Sequence, residues 1–100
     1  MALTLIENRA LNDAATSELT STIDEPTTAA NGAQRFVTGN WFASSSINDG
    51  ASWTHVDPFT RFPEAAGGFC CDQVVLYNPA NKIWIWLLQY STGSNGENIF

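Results

Sequence analysis

Two acidic residues, Glu25 and Asp72, are the main candidates in this sequence for contacting a ligand. Each is followed six residues later by the asparagine of a predicted turn, Asn31 or Asn78, and the two sets lie 47 positions apart. The two carboxylates could form a polar ring that holds a ligand, a water cluster or a metal ion, and Gln73 is a further candidate contact to a ligand. The alternative is that each carboxylate accepts hydrogen bonds from backbone N–H groups where a strand begins.

Other side chains that could hold a metal are few. His55 is the only histidine, and a zinc ion would need more ligands than the sequence offers near it. The run Asn48-Asp49-Gly50 lacks the spacing and the terminal glutamate of a calcium loop. We therefore expect no metal site and no cofactor, and no residue of this chain is assigned a catalytic role.

The two cysteines, Cys70 and Cys71, are adjacent. On neighbouring positions of a regular strand their side chains would point to opposite faces, so a disulfide between them would be strained. The sequence has neither a C-x-x-C spacing nor a nearby histidine, which disfavours a redox or metal role. We expect buried free thiols or pairing with cysteines outside this chain.

The composition bounds the class of protein. The 100 residues are 44% hydrophobic and 14% charged, enough for one small domain with a modest core. Ten acidic and four basic residues give a net charge of -6, so no basic patch can form and nucleic acid is not an expected partner. The longest apolar run is too short to cross a bilayer. The low lysine content and the many Thr, Ser and Asn residues favour a secreted protein.

One stretch, residues 46–53, has the pattern of a tight turn between two short strands. Gly50 can adopt a positive φ, and the Asn48 side chain can accept hydrogen bonds from backbone N–H groups that follow it. Trp53 should fold back beneath the turn. The positions that carry this pattern are Ser46, Asn48, Gly50, Ser52 and Trp53.

This spacing resembles the Asp-box, or BNR repeat, of sialidase-like β-propellers, with Asn48 where that family usually has aspartate. The resemblance covers about residues 25–90. It implies an all-β fold of four-stranded antiparallel blades, in which the box lies at the blade periphery and is structural. It also places Glu25 and Asp72 at the start of innermost strands, where side chains approach the central channel. The interval of 47 residues is close to the length of a propeller blade.

The turn signals divide the chain into a series of short strands. After a strand at 3–6 and a hairpin turn at Asn31-Gly32, the expected strands are 34–38, 41–45, 52–56, 69–77 and 82–90, with a further strand starting at 98. The expected units are an N-terminal segment, 1–24, that could be an outer strand of a neighbouring blade; a complete blade, 25–57; an irregular inter-blade loop, 58–68; and the first half of a second blade, 69–100.

The strand at Ile83–Leu88 has apolar residues at both odd and even positions, so both of its faces should be buried. Stacked blades would bury them, but propellers have typically 4 to 8 blades and this chain holds fewer. The ring is therefore incomplete in one chain. Further copies of the chain or other chains are the expected partners, since the Trp84 and Trp86 faces would otherwise be exposed.

Three functions fit the resemblance. The leading prediction is a secreted recognition scaffold for a glycan or another extracellular ligand. The second is a glycoside hydrolase similar to exo-sialidases, with catalytic residues mostly on blades outside this chain. Such an enzyme needs three arginines around a substrate carboxylate, but Arg9, Arg35 and Arg61 lack the motif context that would assign them that role. The third is a structural fragment that self-assembles.

Overall fold

The computed structural model describes residues 25–62 and 67–92 of the chain. The expected N-terminal strand at 3–6, Arg9 and the strand expected from Asn98 lie outside the described residues. Within them, the protein is built almost entirely of antiparallel β-strands, which confirms the all-β class. The two sheets are open, and no closed ring is present in the described part of the chain.

Sheet A has four strands in sequence order, each paired with the next. The strands are β1 (Thr27–Asn31), β2 (Gln34–Thr38), β3 (Ala43–Ser46) and β4 (Thr54–Val56). The first hairpin closes where Asn31 pairs with Gln34, and Gly32 takes a φ of 57° in the loop between them. This is the meander expected from the turn signals, although β3 and β4 each begin two residues later than expected.

Sheet B is a hairpin of two longer strands, β5 (Phe69–Asn78) and β6 (Ile83–Tyr90). The turn begins at Asn78, whose Oδ1 accepts a hydrogen bond from Ala80 N at 3.0 Å. Asn31 and Asn78 therefore occupy the same place in their hairpins. The loop between β5 and β6 has two more residues than the loop between β1 and β2. Ala29 pairs with Phe36 in the first hairpin, and the equivalent Leu76 pairs with Ile85 in the second. Ile85 is thus the counterpart of Phe36 in the second hairpin.

A short helix, α1 (Pro58–Arg61), follows β4, where the sequence predicted only an irregular loop. Asp57 is its N-cap, because the Asp57 carboxylate accepts a hydrogen bond from Phe59 N at 2.9 Å. Pro58 occupies the first helical turn, where its missing N–H costs no hydrogen bond, and its ring is buried. The prediction failed because a single helical turn is too short to show a periodic pattern.

The two sheets pack against each other, with β1 beside β5. Thr27 Oγ1 accepts a hydrogen bond from Val75 N at 3.0 Å, so a side chain of β1 satisfies a backbone donor at the free edge of β5. The Phe36 ring meets Trp86 edge-on, with ring centroids 5.1 Å apart. Phe62 contacts the same indole, with centroids 5.0 Å apart.

The burial of β6 differs from the prediction that both of its faces are covered. Trp84, Trp86 and Leu88 face sheet A and are half-buried or buried. The other face is open and apolar, because its aliphatic side chains stay exposed in the described part of the chain. We call this open face the outer face of sheet B; its exposed apolar residues are Val74, Leu76, Ile83, Ile85 and Leu87.

Leu87 and Leu88 lie on opposite faces of β6, so the same change to alanine at each position compares the two faces. Leu88 is 9% exposed and Leu87 is 43% exposed. We expect Leu88→Ala to lower the free energy of unfolding by about 2–4 kcal/mol, because it leaves a cavity between the sheets. Leu87→Ala should cost less than about 1 kcal/mol in the single chain. Urea denaturation followed by tryptophan fluorescence measures both, and equal losses would contradict the assignment of the two faces.

Candidate functional site

The turn between β2 and β3, residues 39–42, is where the structure brings predicted site residues together. The turn is tight, since Gly39 N donates a hydrogen bond to Phe42 O at 3.1 Å. The Phe42 ring lies over Gly39, and a Cβ atom at residue 39 would be 2.5 Å from Phe42 Cε1. Only glycine fits there without moving the ring. The turn therefore has a defined shape at the end of sheet A.

Gln73, on β5, holds this turn from the neighbouring sheet. Its side chain is 3% exposed. Its Nε2 donates to Gly39 O at 2.8 Å and to Phe42 O at 3.1 Å, while its Oε1 accepts from Trp86 Nε1 at 2.9 Å. The amide is thus occupied with contacts inside the protein. The contact of Gln73 with a ligand stays a prediction. The structure shows that Gln73 holds the 39–42 turn through hydrogen bonds.

Glu25 reaches the same turn through Asn40. The Glu25 N–H donates to Asn40 Oδ1 at 3.0 Å, and Asn40 Nδ2 donates to Glu25 Oε2 at 3.3 Å. The backbone donor before β1 is therefore capped by Asn40, and not by the Glu25 carboxylate as the alternative interpretation of the sequence had it. Asn40 is buried, whereas Glu25 is exposed and can present its carboxylate to a ligand.

Trp41 lies beside this pair, and sequence reasoning did not single it out from the other tryptophans. Its side chain is 39% exposed, the highest exposure among the four tryptophans of the chain. An exposed aromatic ring and an exposed carboxylate at one turn can together bind a ligand that has both an apolar face and hydroxyl groups. We call Glu25, Asn40 and Trp41 the turn patch. In the sequence, the Gly39-Asn40 turn is the feature that indicates this patch. The contact of the turn with Glu25 could not be inferred from it.

Asp72 is not part of the turn patch. Its side chain is exposed and lines a shallow groove with Val74, Leu87 and Gln89, on the outer face of sheet B. Neighbouring strand residues alternate between faces, so Asp72 points away from the side on which Gln73 is buried. The structure therefore brings Glu25 and Gln73 to one turn and leaves Asp72 on another surface. The polar ring of Glu25 and Asp72 around a channel stays a prediction.

The residues that resemble an Asp-box form a hydrogen-bonded turn at the opposite end of β3. Ser46 Oγ accepts from Gly50 N at 2.9 Å and donates to Asn48 Oδ1 at 2.9 Å. The same Asn48 oxygen accepts from Ser52 N, again at 2.9 Å. Gly50 has a φ of 87°, and a Cβ there would be 3.4 Å from the Trp53 indole. The indole lies against the turn, and all five positions have structural contacts.

Arg35 and Arg61 line different surface depressions. Arg35 forms an ion pair with Asp49 and also donates to Gln34 O at 2.8 Å, so its guanidinium is bound to the turns around it. Arg61 is exposed on α1. These contacts give Arg35 a role in joining the box turn to the first hairpin.

Ser44 and His55 form a hydrogen-bonded pair that the sequence did not suggest. Ser44 Oγ lies 2.7 Å from His55 Nδ1 across β3 and β4, where the two residues are register partners. A serine next to a histidine is the core of many hydrolytic sites. Here the Ser44 side chain is 0% exposed, so no substrate can reach its hydroxyl. The pair is a cross-strand contact of sheet A.

No group of three metal-ligating side chains is found within residues 25–62 and 67–92. In the same ranges, no helix is long and apolar enough to cross a membrane. Comparison with protein-family models, with characterised proteins and with solved structures finds no match to this chain. The geometry of the site and the resemblance carried by the box residues are therefore the features that indicate a function.

The role of Gln73 is tested by replacing its amide with an apolar group of similar size. We expect Gln73→Leu to lower the free energy of unfolding by about 2–4 kcal/mol, because the turn carbonyls and Trp86 Nε1 lose their partner. Gln89→Leu is the matched control on the same sheet, where the side chain is only half-buried, and it should cost less than about 1 kcal/mol. Thermal and urea denaturation measure both; similar losses would contradict a special role for Gln73.

Proposed function

We propose that this chain is part of a secreted, propeller-type scaffold that binds a carbohydrate or a similar polyhydroxylated ligand at the turn patch. The observation that carries the proposal is a turn, held by Gln73, in which the exposed Trp41 follows Asn40, the residue that contacts the exposed Glu25. The ring can stack on the apolar face of a sugar, and the carboxylate can accept hydrogen bonds from its hydroxyl groups.

The packing of the sheets supports the propeller part of the proposal. Two consecutive antiparallel sheets lie face to face, with their first strands, β1 and β5, side by side. This is the relation expected of neighbouring blades, and the turn with the Asp-box pattern lies at the end of the first sheet away from the turn patch. The apolar outer face of sheet B is the surface on which a following blade would pack.

The disulfide between Cys70 and Cys71 supports secretion, since disulfides persist in oxidising compartments. Binding is favoured over hydrolysis because the polar side chains that are fixed by hydrogen bonds or buried have structural roles. Gln73 holds the turn, Arg35 is paired with Asp49, and Ser44 is buried. A rigid platform with one exposed ring and one carboxylate is suited to recognition.

Binding at the turn patch is tested with Trp41→Ala on an array of neutral and acidic oligosaccharides. We expect the chain to bind a subset of them, and Trp41→Ala to weaken that binding at least about tenfold, equivalent to about 1.4 kcal/mol. Glu25→Gln should weaken it further for ligands that donate hydroxyl protons. Ile47→Ala, which alters an exposed apolar residue at the other end of β3, is the control and should bind normally.

Two outcomes of this experiment would overturn the proposed site. One is the absence of binding to any oligosaccharide by a chain whose fold is intact by circular dichroism. The other is binding that Trp41→Ala and Ile47→Ala leave equally strong, which would move the ligand to another surface of the protein.

The proposed scaffold requires a partner for the outer face of sheet B, either further copies of the chain or other chains. We expect the native mass of the purified chain to exceed the mass of one chain, 10.9 kDa, because apolar faces of this kind associate in water. Leu87→Lys should shift the mass towards that of one chain. Light scattering measures both proteins. A wild-type chain that stays monomeric at high concentration would contradict self-assembly and leave other chains as the partner.

A further inference from the structure

Cys70 and Cys71 form a disulfide between adjacent residues, although the sequence favoured free thiols or external partners. The reason for the difference is a β-bulge. The register of β5 against β6 shifts between Phe69 and Gln73, so the strict alternation of side chains is broken at the cysteines. Their side chains therefore turn towards each other, and both residues are half-exposed to solvent.

A disulfide between adjacent residues closes the smallest ring that protein cysteines can form. The Cα atoms are 3.7 Å apart, the separation of two residues joined by a trans peptide bond, so that peptide bond is part of the ring. Disulfides that solvent reaches are the ones that exchange readily with external thiols. The negative charge of the chain does not repel an uncharged dithiol from this bond.

The position of the disulfide connects it to the turn patch. Gln73 follows Cys71 by two residues, at the end of the bulge, and its amide holds the 39–42 turn and Trp86. The reduced form also has a new partner within reach, because Cys71 Sγ lies 4.0 Å from Gln89 Oε1 on β6. A thiol has a proton to donate to that oxygen, whereas a disulfide sulfur has none.

We propose that the Cys70–Cys71 disulfide is a thiol-exchange site for a dithiol reductant, and that its reduction loosens the contact of Gln73 with the 39–42 turn. The disulfide constrains the bulge, and the bulge sets the position of Gln73. Once the ring opens, Cys70 and Cys71 can rotate independently of each other, which loosens the bulge that ends at Gln73. Reduction would thereby alter the support beneath Trp41.

The exchange balances as a two-electron transfer. A thiolate of the reductant attacks one cysteine sulfur, the S–S bond breaks, and the other cysteine leaves as a thiolate that takes a proton. The second thiol of the reductant then attacks the mixed disulfide. Both cysteines end as thiols, and the reductant ends as an intramolecular disulfide. A chemical reductant of this class, dithiothreitol, is the probe in the experiment.

The first measurement is the mass of the chain after treatment with N-ethylmaleimide, before and after dithiothreitol. We expect no alkylation of the chain as purified in air and two alkylated cysteines after the reductant. The second measurement is hydrogen exchange at the tryptophan indole N–H groups by NMR, with the signals assigned by Trp86→Phe and Trp53→Phe. We expect exchange at Trp86 to be at least tenfold faster in the reduced chain.

Trp53 is the internal reference, because its indole lies against the box turn of sheet A and should not respond to reduction. The variant in which both cysteines are serine is the matched control, and dithiothreitol should leave its indole exchange unchanged. Alkylation without reductant would overturn the disulfide. Unchanged exchange at Trp86 after complete reduction, or equal acceleration at Trp53 and Trp86, would overturn the link to Gln73.

Discussion

The buried amide of Gln73 is the contact on which the rest of the structure depends. A polar side chain inside a protein is stabilising only when its hydrogen-bonding groups are satisfied. Gln73 meets this condition by bonding carbonyls of the 39–42 turn on sheet A and the Trp86 indole on sheet B. One side chain thus sets the position of two sheets and of the turn that carries Trp41.

The aromatic packing between the sheets adds to this polar contact. Phe36 of sheet A meets Trp84 and Trp86 of sheet B edge-on, and these contacts bury the apolar surface that the short strands provide. They also give sheet B its two unlike faces. The face with the tryptophans is covered, while the outer face keeps its aliphatic residues in solvent. In the described part of the chain, sheet B therefore has one covered face and one open apolar face, and the proposed scaffold places its next sheet on the open one.

At the other end of sheet A, polar contacts join separate turns into one unit. Asp49 N donates to Ala33 O at 2.8 Å, and the Asp49 carboxylate pairs with Arg35. The box turn is thereby fastened to the loop of the first hairpin. This end of the sheet is held by local hydrogen bonds, whereas the turn patch at the opposite end is held by Gln73 from the neighbouring sheet. The proposed binding surface thus depends on sheet packing, and the box turn does not.

The sequence by itself determined the all-β class, the order of the hairpins and the box turn, because glycine, asparagine and alternating side chains act over a few neighbouring residues. It could not determine which face of β6 is covered, since both of its faces are apolar and only packing chooses between them. It could not show the contact of Glu25 with Asn40, which forms once β1 pairs with β2, or the contact of Gln73 with the 39–42 turn, which forms only after the sheets pack. The Cys70–Cys71 disulfide was missed for a related reason. The β-bulge that lets the sulfurs meet arises from the pairing of β5 with β6, so tertiary structure decided it.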